Sequence, residues 1–232
     1  MLCGLISAFN VDDVSHSLFA IRPENLESRQ IVRACIPTNH INGILALAVA
    51  RFDAARQSTF FNQISSHPWT KGSAGWIFEK FVHIRLTSVS APPLTCVSTS
   101  NSTLTIPVCS DIRALSGKIA LCEANKHKLP FCWRPTSSSF TSINGIVCTT
   151  SHIFLVQVTV ALNHDIKVMG LDTIFDGLPV KFRERHTWCL VFITPREDCA
   201  WYLRNQATSL PPTLERKTDH LFLHIQVYGW QQ

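Results

Sequence analysis

The stretch Ile153-Phe154-Leu155-Val156-Gln157-Val158-Thr159-Val160-Ala161 decides the fold. Its apolar, largely β-branched and aromatic run reads as a strand, and successive side chains of a strand point to opposite faces. One face is Phe154, Val156, Val158 and Val160, wholly apolar. The other is Ile153, Leu155, Gln157, Thr159 and Ala161. Gln157 and Thr159 therefore sit side by side on a surface that otherwise reads as core. Buried polar groups cost free energy unless they are bonded, so this pair needs a reason.

Working outward, Ile143 to Thr149 is a second strand, joined to the first through the tight turn Thr150-Ser151-His152, and Thr187 to Thr194 is a third. A short helix is predicted between them over Val168 to Leu178. Upstream, Leu45, Ala48, Val49, Phe52 and Ala55 recur at three- and four-residue steps, which predicts helix from Ile41 to Ser66. Pro68 and Gly72-Ser73 punctuate the chain before a further helix over Ser73 to Val89. On a helical wheel Ile77, Phe78, Phe81 and Ile84 centre its apolar face; Glu79 falls at the edge, one turn before His83. Leu94 to Val97 and Leu104 to Cys109 read as a hairpin, Asp111 to Asn125 as holding a short helix, and Pro130 to Ser142 as loop. A helix over Glu197 to Asn205 and a strand over His220 to Tyr228 complete a mixed α/β order. Pro23 and Pro37 break the first 40 residues into short pieces. We therefore divide the chain into a partly helical N-terminal extension, residues 1–57, and an α/β domain, residues 58–232.

Composition narrows the function classes. A hydrophobic fraction of 46% with 16% charged residues excludes a disordered chain. The net charge of +5 is compatible with an anionic partner such as nucleic acid. The nine cysteines are scattered singly with no C-x-x-C pair, which argues against a zinc ribbon and for buried free thiols in a reducing, intracellular compartment. The sequon Asn101-Ser102-Thr103 is then without use. No apolar run reaches the roughly 18 residues a membrane span needs, and Met1 to Phe9 lacks the basic start of a secretion signal, reading as strand.

Two segments carry a family resemblance: Gly75-Trp76-Ile77-Phe78-Glu79-Lys80-Phe81-Val82-His83, and the strand 154–161 followed by Asn163-His164 and Ile166-Lys167. Ser15-His16-Ser17-Leu18 and Glu27-Ser28-Arg29 add to it. Together they resemble the C-terminal nuclease-like region of Crinkler and retrotransposon-hot-spot (RHS) type effectors, of the restriction-endonuclease-like PD-(D/E)XK group. The resemblance implies a mixed sheet flanked by helices, and Mg²⁺- or Mn²⁺-dependent hydrolysis of nucleic acid in the cytoplasm or nucleus, including that of a host cell. It makes Glu79, Asn144 and Gln157 the metal ligands, with Thr159 at the position of the usual lysine; glutamine and threonine look normal at those two places in this branch. His164 and Lys167 fall in a family-like N-H-x-I-K pattern, with Lys167 the replacement cation and His164 a nucleic-acid contact. An ATPase module often joined to this region is not legible here: Lys71-Gly72-Ser73 lacks the upstream glycine of a P-loop. Such a module would act in trans.

Asn144 departs from the pattern, for the family usually shows aspartate there. An amide is neutral and offers one oxygen, so Glu79 is the sole carboxylate among the matched positions. One carboxylate with amide oxygens is a weak magnesium site; Asp111 or Asp165 would have to compensate. Plainer readings stand beside these: Glu79 pairing with His83, Asn144-Gly145 as a turn, Gln157 and Thr159 under a covering loop, the tryptophans as packing. Lys126-His127-Lys128, Arg183 with Arg185, and Arg216-Lys217 are candidate phosphate contacts or solubilising charge. The sequence thus leaves three functions open: a divergent nuclease, an inactive binding module of the same fold, and a transposon-linked gene fragment.

Overall fold

The computed structural model describes residues 20–23, 32–36, 38–67, 70–97, 103–136, 143–161, 168–195, 203 and 223–226. The chain forms two compact units, one of residues 1–84 with 230–232 and one of residues 85–229. The division expected at 57/58 falls inside a helix of the first unit.

That unit contains an antiparallel pair, β1 (Ala20–Pro23) and β2 (Val32–Cys35), and then α1 (Asn39–Ala50), α2 (Ala54–Ser66) and α3 (Lys71–Thr87), whose last turn crosses into the second unit. The single helix predicted over 41–66 is two helices. The first turn of a helix leaves backbone N–H groups without partners, and Asp53 supplies one: its carboxylate accepts from Arg56 N at 2.8 Å and starts α2 afresh. Thr38 caps α1 likewise, through Ile41 N at 3.2 Å. Helices α2 and α3 meet through aromatic edges, Phe61 lying 4.9 Å from Phe78 and 5.4 Å from Phe81, centre to centre. The apolar face of α3 is nearly the one the wheel gives. Ile77, Phe78 and Phe81 are buried with Val82 and Leu86, while Ile84 is half-buried.

The second unit holds β3 (Leu94–Val97), β4 (Thr103–Ile106), β5 (Asp111–Leu115), α4 (Lys118–Cys122), a 3₁₀ turn at Ala124–Lys126, β6 (Phe131–Pro135), β7 (Gly145–Cys148), β8 (His152–Val158), α5 (Val168–Gly177), α6 (Val180–Glu184), β9 (Thr187–Thr194) and β10 (Leu223–Gln226). Eight strands form one sheet in the order β4-β3-β10-β9-β8-β7-β6-β5. The pairs β5/β6, β8/β9 and β9/β10 are parallel and the other four antiparallel, so the mixed α/β class expected from the sequence is the one adopted. The β3/β4 and β7/β8 hairpins lie where they were read. Between them, residues 111–115 are strand, with the helix starting only at Lys118, and residues 131–135 are strand where loop was expected. Pro130 and Pro135 mimic a loop, yet they sit just before and at the last position of β6, where the missing N–H costs the ladder little.

Strands β8 and β9, parallel neighbours, are joined by a crossover through α5 and α6, and the Leu155 face of β8 packs under that crossover. Ile153, Leu155, Trp188, Leu190 and Phe192 share one core with Leu171 and Ile174 of α5. The close packing of α4 on the end of α5 depends on a glycine. A Cβ at Gly177 would stand 2.6 Å from Leu121 Cδ1 and 3.2 Å from Leu121 Cβ, and Leu121 is fully buried. Gly177→Ala should therefore cost about 1–3 kcal/mol through overpacking; an unchanged urea midpoint would show that Leu121 yields freely.

Seven cysteines lie among the described residues and all are free thiols, five of them buried. Burial pushes the Cys109 thiol up to about 11 and that of Cys132 up to about 12, and raises that of Cys148 well above its ordinary value. These three are core side chains, not nucleophiles. No helix among the described residues is long and apolar enough to cross a membrane.

Candidate functional site

The β7/β8 ladder ends in a side chain. Gly145 stands opposite Val156, and Asn144 N donates to Val156 O at 2.8 Å. The next donor along β8, Val158 N, meets no carbonyl of β7; it donates instead to Asn144 Oδ1 at 2.7 Å. Asn144-Gly145 is thus the entry of a strand and not a turn. Gln157 Nε2 donates to the same Asn144 oxygen at 3.0 Å.

These bonds fix both amide orientations. A backbone N–H can only donate, so the Asn144 atom facing Val158 is its oxygen. The Gln157 atom facing that oxygen must then be nitrogen. Its own oxygen, Oε1, is left fully buried with no hydrogen-bond partner among the described residues, in a side chain belonging to a residue only 6% exposed.

Thr159 is buried beside it and continues the sheet by one rung, its N–H donating to Ile193 O at 3.0 Å. Its hydroxyl accepts from Ala161 N at 3.0 Å, a local side-chain-to-backbone bond just past β8. Asn144, Gln157 and Thr159 therefore stand together at the carboxyl end of β8, beside the parallel strand β9. This is the edge at which open α/β sheets hold ligands. Thr194, the last residue of β9 and 1% exposed, shares that edge. The alternation Trp188, Leu190, Phe192, Thr194 could have found it, since the polar residue there interrupts an apolar face as Gln157 does.

The other expected residues divide as follows. Glu79 belongs to α3 in the first unit, half-buried, with Oε1 3.7 Å from Nε2 of the buried His83, which is the plainer reading of that residue. His164, Asp165, Lys167, Arg216 and Lys217 lie outside the described residues. Asp111 cannot compensate for Asn144. It sits on β5, three strand spacings from β8 (about 14 Å), and its carboxylate pairs with Arg113 Nε at 2.8 Å.

The basic groups are not assembled at this edge. Strands β6, β8 and β9 run the same way, so Lys128 before β6 and Arg185 before β9 lie at the edge where β8 begins. Gln157 is about 17 Å further along the strand. Lys126 pairs with Glu123 at 2.9 Å and holds that carboxyl below its ordinary range. Arg183 bonds Phe175 O at 3.2 Å and Asp176 at 3.4 Å while its guanidinium covers the Phe175 ring, so it fastens α6 to α5. Lys128 and Arg185 are exposed and make no ion pair among the described residues.

At this edge the donor set of the described residues does not fit Mg²⁺ or Mn²⁺. Among the described residues no three His, Cys, Asp or Glu side chains are placed to hold a metal ion. The single oxygen of Asn144 already accepts two hydrogen bonds, and its other terminal atom is an amide nitrogen, which a cation repels. That leaves one neutral oxygen, on Gln157, where a hard cation wants several, some of them charged. No protein-family model, no curated protein and no solved structure matches the chain.

Proposed function

We propose that this chain is a divergent nuclease-like domain of the Crinkler/RHS effector type that binds nucleic acid and does not cut it. One observation carries the reading: at the strand position where the resemblance expects an aspartate, Asn144 is neutral and its oxygen accepts from Gln157 and from the backbone. A neutral, internally bonded amide pair neither gathers a metal nor lowers the pKa of a water, and the metal-dependent hydrolysis that the resemblance implies needs both. Binding draws its support from the resemblance, the net charge of +5 and the exposed Lys128 and Arg185.

The test is a cleavage assay on supercoiled DNA and single-stranded RNA with Mg²⁺ or Mn²⁺, run beside equilibrium binding over a range of salt. The expected result is intact substrate and an affinity that falls with salt. Lys128→Glu with Arg185→Glu should flatten the salt dependence on a single strand by about 1.4 in log–log slope, at about 0.7 per phosphate contact. Metal-dependent cutting would restore the nuclease reading; absence of any salt-dependent affinity would remove nucleic acid as the partner.

A further inference from the structure

We propose that β5 is an interaction surface for a second copy of this chain, its open edge pairing antiparallel with the same strand in a register centred on Ile112. The proposal stands apart from the nucleic-acid reading. β5 ends the eight-stranded sheet, bonded to β6 on one side and to no described strand on the other. Thr136 N donates to Leu115 O at 3.1 Å, so Leu115 turns its backbone polar groups toward β6. Those groups alternate from side to side along a strand. Asp111 and Arg113 therefore face β6 too, and the N–H and C=O of Ile112 and Ala114 point outward. Ile112 is 52% exposed, and Arg113 and Ala114 are exposed beside it.

An open edge is a template for another strand, and charge or proline commonly blunts it. β5 contains no proline, and its two charges are of opposite sign, two residues apart. They pair within the chain, Arg113 Nε lying 2.8 Å from Asp111. With Ile112 opposite Ile112, each Asp111 also stands opposite the Arg113 of the other copy, all four charges on one face. Opposite charges across a ladder stabilise it and like charges destabilise it. On the other face the two Ile112 side chains meet, and Ser110 stands opposite Ala114, which adds no bulk. The two Ile112 residues exchange both N–H···O bonds, the closely spaced pair of an antiparallel ladder. Other registers lose this match. Centring on Asp111 or Arg113 opposes like charges, and centring on Ser110 or Ala114 leaves both charges without a partner across the ladder. At the other end of the sheet β4, Thr-Leu-Thr-Ile, carries no charge to set a register. The β5 contact is isologous, so it closes at two copies. Five residues a side fall far short of the roughly 20–30 of a standard interface, so the dimer is weak and dissociates on dilution.

The experiment is sedimentation velocity of the full chain from micromolar to millimolar concentration, free of nucleic acid. The native chain should pass from monomer to dimer. Arg113→Asp and Asp111→Arg, run separately, should each weaken self-association by about tenfold or more, because like charges then face each other twice. An equimolar mixture of the two variants should associate as the native chain does, since every aspartate again faces an arginine. That recovery also shows that both variants fold. Ile112→Pro removes an outward N–H that β6 does not use, which an edge strand tolerates, and should abolish the dimer. A native chain that stays monomeric to millimolar concentration overturns the proposal. So does a dimer that survives Ile112→Pro, or a mixture that associates no better than its components. Growth past the dimer would mean an open-ended contact between different edges, and it overturns the self-paired register as well.

Discussion

Trp133→Ala should destabilise the second unit by about 3–5 kcal/mol, measured from the midpoint and slope of denaturant unfolding. The indole is 1% exposed on β6. Phe131 meets it edge-on at 4.8 Å and His127 at 5.8 Å, and both Phe131 and Trp133 belong to the core that also holds Leu115 and Ile146. β6 is parallel to β5 and antiparallel to β7, so the residue is locked from both sides and the hole left by alanine has little room to close. A loss below about 1 kcal/mol would mean that the site collapses at small cost, and that residues 131–135 do not hold the sheet together.

The same strand shows where sequence reasoning stops. Periodicity and turn chemistry located β7, β8, β9 and α5, because each has an uninterrupted apolar run or a helical repeat bounded by turn formers. β6 has four residues between two prolines, the second of which is its own last position, and β5 pairs only through β6. Nothing local distinguishes such a strand from loop, since its stability comes from partners distant in sequence. The break between α1 and α2 was legible in principle, as Asp53 three residues before Arg56 is an ordinary cap; the continuing apolar spacing through Phe52 and Ala55 hid it. At the site, alternation along β8 placed Gln157 and Thr159 on one face correctly. It could not show that Asn144 closes the ladder, because a side chain replacing a backbone acceptor leaves no mark on hydrophobic period. Nor could it separate Asn144–Gln157 from Lys128 and Arg185, which only the strand directions set at opposite edges.

Asn144 itself should give a split result that no single truncation can. In Asn144→Ala, Val158 N–H and Gln157 Nε2 both lose their acceptor at a buried position, and an expected loss of about 2–4 kcal/mol follows from two orphaned donors. In Asn144→Asp the acceptor stays, so both donors remain bonded and stability in chelator should lie within about 1 kcal/mol of native. The difference between the two variants isolates the ladder-ending bonds from the volume of the side chain. Aspartate also replaces the outer NH₂ with a second oxygen and adds a unit of negative charge beside Gln157 Oε1, so a cation now meets acceptors in place of a donor. Added Mg²⁺ should then raise the unfolding temperature of Asn144→Asp alone, by about 1.4 kcal/mol of stabilisation at a concentration ten times its dissociation constant. Equal Mg²⁺ stabilisation of native chain and variant would show that the amide pair does hold a metal, and the neutral-site argument would fail with it. A metal response confined to the aspartate variant, by contrast, would make one atom of one side chain the difference between a cation site and a closed amide pair.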